Sequence, residues 1–302
     1  MTAPARSLQF SGAPLVARRV NATTVVHDDL ALIDLSPRGT HNRWGDTIVR
    51  WRGRVLRIAS PIVILIVWQL VSSFGIVAPQ ILPPPTDILA AFRELIALGD
   101  LQSALPTSLS RSLTGLALGG GIGLVIGLFA GLWRIGEEVF DAPLQMLRTI
   151  PFVALVPLFI TWFGIDEEAK ITVITAASIF PMYLNTYAGV RGIDPKLIEA
   201  ATIFGLNRRQ IALHVILPTA VPSILVGLRY AAGVSLLALV VAEQINARSG
   251  IGYILNNANM NQRSDIIIAG ILVYAGLGIA IDIIMRGLEK AALPWRPKIA
   301  LA

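Results

Sequence analysis

The sequence is dominated by six apolar stretches, each long enough to cross the roughly 30 Å hydrocarbon core of a bilayer. They cover residues 56–74, 113–133, 139–163, 171–190, 216–242 and 266–285. Only 15% of the residues are charged, against about 25% in soluble domains, so the chain has too little polar surface to cover itself in water. Backbone groups in lipid must be hydrogen-bonded within the protein, which favours helices over open strands. The sequence therefore predicts an all-α membrane protein, with a domain of six transmembrane helices over residues 58–302.

Lysine and arginine are distributed unequally between the segments that connect these stretches. Segments 1–57, 134–141, 191–214 and 286–302 hold 18 of them, whereas the alternate segments 76–107, 164–170 and 243–265 hold 4. Because basic residues concentrate on the cytoplasmic side, we predict a multi-pass protein of the cell membrane with both termini in the cytoplasm. No apolar core of seven or more residues precedes residue 54, so no cleavable secretory signal is expected. This topology explains the net charge of +6, and nucleic acid is not predicted as a partner.

The first 57 residues divide into two parts. Residues 1–42 are polar and contain Gly, Pro, Asn and Thr without clear periodicity, which predicts a disordered cytoplasmic extension. Residues 43–57 place tryptophan, isoleucine and valine at helical spacing among five arginines, which predicts a basic amphipathic helix in the cytoplasmic headgroup layer. The alternative is an arginine-rich flank that only fixes the orientation of the first span.

Glycine recurs at every fourth position of the second apolar stretch. This spacing places five glycines on one face of the predicted helix, namely Gly115, Gly119, Gly123, Gly127 and Gly131. Glycine at such positions lets the backbone of a neighbouring helix approach closely. A phosphate-binding loop is not predicted, because no Gly-Lys-Ser/Thr follows. We therefore predict that this face packs against another helix.

Residues that usually carry catalysis are few. The chain has no cysteine, and its three histidines lack a His-x-x-x-His spacing, which argues against a catalytic thiol or a metalloenzyme. It also lacks a P-loop pattern, so it is not expected to bind and split ATP in that manner. We interpret the carboxylate run 166–168 as a solvated outer turn. The chain is not predicted to be an enzyme or to hold a metal.

The polar segment between the fourth and fifth apolar stretches predicts a helix, a turn and a second helix. Asp194 is a suitable N-cap and Pro195 a suitable first helical residue, and Gly205 is placed to end the first helix. Asn207 can cap a second short helix that reaches Pro218. Small residues on the exposed surface would permit close docking against another protein. We therefore predict that segment 191–214 is a cytoplasmic docking loop.

One motif in this region is specific enough to indicate a family. Glu199-Ala200-Ala201, with Gly205 six residues after the glutamate and then Leu217-Pro218, resembles the EAA loop of permease subunits in ATP-binding-cassette (ABC) importers. Segments 84–85, 145–151, 162–165 and 242–243 resemble the branch that contains the aliphatic sulfonate, taurine, nitrate and bicarbonate permeases, and the aliphatic sulfonate permease most of all. The resemblance extends from about residue 56 to the carboxyl terminus and does not cover residues 1–50.

The resemblance implies a type I ABC importer permease fold with a cytoplasmic EAA coupling helix. Two permease copies would form the pathway in the membrane lipid, two cytoplasmic ATPases would dock on the EAA helices, and a periplasmic or lipid-anchored binding protein would deliver the substrate. ATP and Mg would be bound by the ATPases, so no cofactor is expected on this chain. The residues implied for coupling to the ATPase are Asp194, Pro195, Glu199, Ala200, Ala201, Gly205, Leu217 and Pro218.

Ionisable residues near membrane depth are the candidates for a substrate pathway. We predict that Arg148, Arg229 and Glu243 line it, because such residues usually face a protein interior or a water-filled cavity, and the two arginines would favour an anion. Alternatively, the arginines pair structurally, with Asp282 or with carbonyls freed near prolines. A different class of function is also possible in principle for such a chain: a channel that needs no ATPase, or an intramembrane enzyme. An enzyme would need paired catalytic groups at the depth of the spans.

Overall fold

The computed structural model describes residues 59–244 and 247–294, so the predicted extension 1–42 and the predicted interfacial helix 43–57 lie outside the described residues. The described residues form eleven α-helices, one 3-10 helix (Phe152–Leu155) and one π-helical turn (Ala212–Ile216), and contain no strand. The helices are α1 (Ala59–Ser73), α2 (Pro85–Ala97), α3 (Asp100–Leu132), α4 (Arg134–Leu147), α5 (Val156–Phe163), α6 (Glu167–Arg191), α7 (Pro195–Ile203), α8 (Arg208–Ile211), α9 (Leu217–Gln244), α10 (Ile251–Met260) and α11 (Ser264–Ala292).

Helix α6 is the central element, and it makes its most extensive contacts with α3 and α9. The five glycines of α3 all face it. A Cβ added at Gly115 would lie 2.5 Å from Cγ2 of Ile174, and one added at Gly127 would lie 2.7 Å from Cβ of Thr186. These distances are too short for a side chain, so the backbones of α3 and α6 approach as closely as glycine allows. The contact between α6 and α9 is similarly close at Gly227, where an added Cβ would lie 2.8 Å from Cβ of Asn185.

Two apolar clusters hold the helices together. The larger cluster joins α5 to α6 and α9, and its buried members include Phe159, Ile174 and Leu239. The smaller packs α2 against α11 through Ile88, Ala91, Leu95 and Ala269. Burial of this kind stabilises helix packing through close van der Waals contact.

Large apolar side chains cover the outside of the bundle. On α11, Ile279, Ile283 and Ile284 are each more than 60% exposed, which is typical of a surface that faces lipid rather than water. Among the described residues, three helices are long and apolar enough to cross a membrane: Asp100–Leu132, Arg208–Gln244 and Ser264–Ala292. The count rises to four if the broken pair Arg134–Leu147 and Phe152–Phe163 is one span. Helix α6 is not in this set, because a helix surrounded by protein can carry polar side chains such as Asn185.

The third apolar stretch, predicted as one span over 139–163, is instead broken. Helices Arg134–Leu147 and Phe152–Phe163 meet at 88°. Pro151 lies at the break with extended backbone (φ −59°, ψ 123°). Proline has no N–H to donate and disfavours helical backbone in the residue before it, so a continuous helix cannot pass this point.

The other predicted stretches all contain helix, with two differences at their boundaries. Helix α3 begins at Asp100 rather than at residue 113, since its first turns are helical although polar. The second short helix predicted after Asn207 is not separate from the fifth span, because helix runs without interruption from Arg208 to Gln244.

Candidate functional site

The loop between α6 and α9 is built on two well-capped helix starts. The Asp194 side chain accepts the backbone N–H two residues later at 2.9 Å, and Pro195 is the first residue of α7. After α7, Gly205 has φ +81°, in the left-handed region that favours glycine. Asn207 and Gln210 form a reciprocal capping box at the start of α8, with N–H···O distances of 2.9 and 3.0 Å. The predicted caps and the predicted helix end at Gly205 are confirmed.

The exposed surface of this loop differs from the prediction of small residues. Glu199 and Ala200 are exposed, but Ala201 is buried. The most exposed apolar side chains are Ile203 (85%) and Phe204 (84%), at the tip of the loop. Two adjacent large apolar side chains at such exposure are costly in water and typical of a protein contact surface.

A π-helical turn joins the loop to α9. Proline at position 218 cannot donate a hydrogen bond to the preceding turn. A π turn shifts the pattern of backbone hydrogen bonds by one residue without ending the helix. The hydroxyl of Thr219 donates to the Val215 carbonyl at 2.6 Å, and this replaces part of the missing backbone bonding. Leu217 and Pro218 therefore lie inside one continuous helical rod.

A buried polar cluster joins α3, α9, α10 and α11 near the Glu167 end of α6. At its centre is Glu243, whose side chain is fully buried. Its carboxylate accepts hydrogen bonds from the Ser108 hydroxyl (2.7 Å), Arg111 Nη1 (2.6 Å), the Gly252 N–H (2.9 Å) and the Tyr274 hydroxyl (2.8 Å). A buried carboxylate is tolerated only with such partners, so Glu243 organises the structure around it.

Arg111 extends this cluster to α6 and to the segment before α10. Its side chain is 2% exposed and makes a two-pronged contact with the Glu167 carboxylate at 2.5 and 2.6 Å. Nη1 also donates to the Ser249 carbonyl at 2.8 Å. Glu167 is 54% exposed, as expected for a solvated segment, but its carboxylate also pairs with Arg111 and with the buried Lys170, the latter at 3.1 Å.

The segment between α9 and α10 fits this cluster because of its glycines. Gly250 has φ +102°, and an added Cβ would lie 2.6 Å from Arg111 Nη1. A side chain there would displace the ion pair. The Ile251 N–H donates to the Ser108 hydroxyl at 2.9 Å, so the start of α10 is tied directly to α3.

Arg148 follows α4 and lies at the break in the third span. Its guanidinium carbon is 5.6 Å from the centre of the Phe180 ring, a cation–π distance. The residue is exposed, and no ion pair to it occurs within residues 59–244 and 247–294. It borders a cavity of about 420 Å³ between α4, the 3-10 helix, α6 and α9.

Arg229 is held differently. Its Nη2 lies 3.0 Å from Oε2 of Glu289, and its Nε lies 3.6 Å from Oδ1 of Asp282. Asp282 also pairs with Arg286 at 2.7 Å. These contacts correspond to the structural pairing that was the alternative to a pathway position, and they join α9 to α11.

The described part of the chain holds no group of three or more His, Cys, Asp or Glu side chains that could bind a metal ion. The three candidate features are therefore the apolar tip of the loop, the cluster around Glu243, and the cavity beside Arg148. Sequence reasoning missed the pairing of Arg111 with Glu243, although each is a charged residue at the end of an apolar stretch.

Residues 123–293, more than half of the chain, match the family described as the binding-protein-dependent transport system inner membrane component. This chain belongs to that family. Proteins of this family are inner membrane components of binding-protein-dependent transport systems.

Three relatives are similar over most of the chain. A putative aliphatic sulfonates transport permease protein of Escherichia coli is 45% identical over 83% of this chain and 95% of its own length. A protein of the same description from Bacillus subtilis is 42% identical over 78% of this chain and 86% of its own length. A taurine transport system permease protein of Escherichia coli is 32% identical over 83% of this chain and 94% of its own length.

Solved structures support the fold of the inner membrane component. An amino acid ABC transporter chain aligns with a TM-score of 0.54 over 67% of this chain and 96% of its own length, at 18% identity. A chain of the inward-facing methionine ABC transporter aligns with a TM-score of 0.53 over 63% and 96%, at 19% identity. The type I ABC importer permease fold implied by the sequence resemblance is confirmed.

Proposed function

We propose that this chain is the permease subunit of an ABC importer that moves aliphatic sulfonates into the cytoplasm by ATP-driven alternating access. The observation that carries the proposal is the 45% identity, over 83% of the chain, to a putative aliphatic sulfonates transport permease. Two permease copies form the pathway, and a separate binding protein delivers the substrate from outside.

The loop 191–214 is the docking site for a separate ATPase subunit. The exposed pair Ile203–Phe204 supports this assignment, because a tip that is more than 80% exposed and apolar suits a groove on a partner. The uninterrupted helix Arg208–Gln244 supports a mechanical role, since it connects the loop directly to the membrane domain.

Both termini lie in the cytoplasm in this proposal, on the same side as the ATPase. The unequal distribution of lysine and arginine supports this orientation. The buried cluster around Glu243 then belongs to the outer half of the molecule, because it surrounds the opposite end of α6 from the docking loop.

Taurine is the second candidate substrate, favoured by the 32% identity to a taurine transport system permease protein. To decide, the permease is reconstituted in proteoliposomes with the ATPase and binding protein that co-purify with it. ATP hydrolysis and uptake are then measured with hexanesulfonate, taurine, nitrate and bicarbonate. Stimulation by hexanesulfonate above the other three supports the proposal, and stimulation by taurine alone overturns the substrate assignment.

The docking assignment has a separate test. Phe204→Ala is expected to reduce substrate-dependent ATP hydrolysis at least tenfold, because contact residues of this kind each contribute on the order of 2 kcal/mol. Phe74→Ala is the matched control, since Phe74 is also exposed (76%) but lies after α1, far along the chain from the loop. Equal loss in both variants, or no loss in either, would contradict docking at this loop.

A further inference from the structure

We propose that the cavity beside Arg148 is a substrate-binding subsite for an alkyl sulfonate, with the anionic headgroup on the Arg148 guanidinium and the aliphatic chain in the cavity. The inference rests on the proposed function and adds to it a selectivity that belongs to the permease itself. It assigns the subsite to the break between α4 and the 3-10 helix.

The Arg148 guanidinium is exposed and has no carboxylate partner among the described residues. Arg148 lies within a stretch of membrane-spanning length. Its guanidinium stays beside the Phe180 ring at 5.6 Å, a contact that holds the side chain but leaves its hydrogen-bond donors free. Because the Arg148 side chain is exposed, an anion can reach its guanidinium, and a sulfonate accepts several of its donors at once.

Arg229, unlike Arg148, has carboxylate partners. It has the same side chain and also lies on a membrane-spanning helix, but it is neutralised by Glu289 and Asp282. Of the two predicted pathway arginines, Arg148 is therefore the one with charge available for a ligand.

The residues that line the cavity suit the aliphatic chain of an alkyl sulfonate. Apart from Arg148, the lining is apolar, and it includes Leu147, Phe152, Leu155, Phe180 and Val234. The volume of about 420 Å³ lies within the range for small-molecule sites. An alkyl chain can be buried here, whereas the ammonium group of taurine would find no carboxylate in the lining. The cavity thus fits an amphiphilic anion and disfavours a zwitterion or a small inorganic anion.

The broken backbone places this subsite where the protein can change shape. The 88° turn interrupts the hydrogen bonds of the span, and discontinuous helices of this kind commonly form substrate sites in transporters. A change in the angle between the two halves would move Arg148 relative to Phe152 and so open or close the subsite. Binding and release could then follow the conformational cycle.

The test measures equilibrium binding of radiolabelled hexanesulfonate to the permease–ATPase complex in nanodiscs, without binding protein. Affinity is expected to rise about fourfold for each buried methylene from methanesulfonate to hexanesulfonate, and taurine should compete no better than methanesulfonate. Arg148→Gln should weaken hexanesulfonate binding about tenfold or more. The control Arg134→Gln, which alters an arginine that is 87% exposed and paired with Glu138, should leave binding unchanged.

A second variant tests the tail site independently of charge. Ala176→Leu fills part of the cavity and should weaken hexanesulfonate binding more than methanesulfonate binding, while Ala280→Leu, on the exposed face of α11, should affect neither. Wild-type binding that is not saturable, or that survives Arg148→Gln, overturns the subsite. Displacement of the probe by phosphatidylglycerol in the nanodisc also overturns it, because the occupant is then a lipid headgroup.

The outcome separates the two proposals. Sulfonate uptake by the complete wild-type system, together with hexanesulfonate binding that Arg148→Gln leaves intact, refutes the subsite and leaves the importer assignment standing. Absence of sulfonate uptake by the complete system refutes the substrate assignment on which the subsite rests.

Discussion

Removal of the Glu243 carboxylate should destabilise the protein more than any change to its exposed ion pairs. Glu243→Ala leaves Arg111, the Ser108 hydroxyl, the Tyr274 hydroxyl and the Gly252 N–H without their common acceptor, all close to a fully buried position. Breaking a buried pair by removing one partner costs about 3–5 kcal/mol. Glu167 still faces Arg111 on its other edge, so we expect the lower end, about 3 kcal/mol.

The assay is thermal unfolding of the purified protein in one detergent. A loss of about 3 kcal/mol corresponds to a decrease of about 6–12 °C in the melting temperature for a domain of this size. Glu138→Ala is the control, because the Arg134–Glu138 pair is largely exposed (87% and 63%) and such pairs contribute about 0–1 kcal/mol. The double change Arg111→Met with Glu243→Leu should recover part of the loss, since it removes both charges. A melting temperature of Glu243→Ala that equals that of Glu138→Ala would refute the reasoning.

Three further predictions follow from packing, backbone and topology. Gly123→Ala should lower the melting temperature by several degrees, because its Cβ would lie 2.9 Å from Met182 Cβ, while Gly121→Ala, which meets nothing within 4 Å, should not. Gly205→Val should reduce substrate-stimulated ATP hydrolysis through strain at φ +81°, and Gly205→Asn, which tolerates this conformation, should retain most of it; equal activity of the two would count against the reasoning. The chain has no cysteine, so single cysteines can be introduced as labels. A Cys at position 138 should react with membrane-impermeant reagents only from the cytoplasmic side, and a Cys at position 168 only from outside. The reverse pattern would overturn the topology.

Local features of the fold were predictable because they depend on neighbouring residues. The caps at Asp194 and Asn207 and the end of α7 at Gly205 follow from side chains that bond to the backbone two or three positions away. The glycine face of α3 follows from the helical period alone. The sequence does not indicate which helix packs against this glycine face, since any neighbouring helix would satisfy the spacing. The structure shows that the helix is α6.

Features that depend on distant residues were not predictable in the same way. Arg111 and Glu243 are 132 positions apart, and nothing in either local sequence indicates the other. The burial of Ala201 beside the exposed Ala200 also depends on how the loop folds back on itself, which the motif does not specify. The break at 148–151 was predictable only in part. Pro151 indicates an interruption of the helix, but the apolar character of the whole stretch favours a single span.

The contacts of α6 lead to an expectation about where the helix bundle bends in the proposed transport cycle. The Glu167 end of α6 is fixed to α3 and α9 through Arg111, and the α4 half of the broken span is tied to the middle and far end of α6 by Tyr183–Asp141 (2.9 Å) and Tyr187–Glu137 (2.6 Å). The packing of α6 on α3 leaves no space for sliding at the glycines. In the proposed mechanism, motion of the docked ATPase would reach α9 through its continuous helix, and we expect the bundle to bend at residues 148–151, where the helix is interrupted. Arg148 and the apolar cavity lie at the same interruption, so the proposed subsite lies where we expect the bundle to bend.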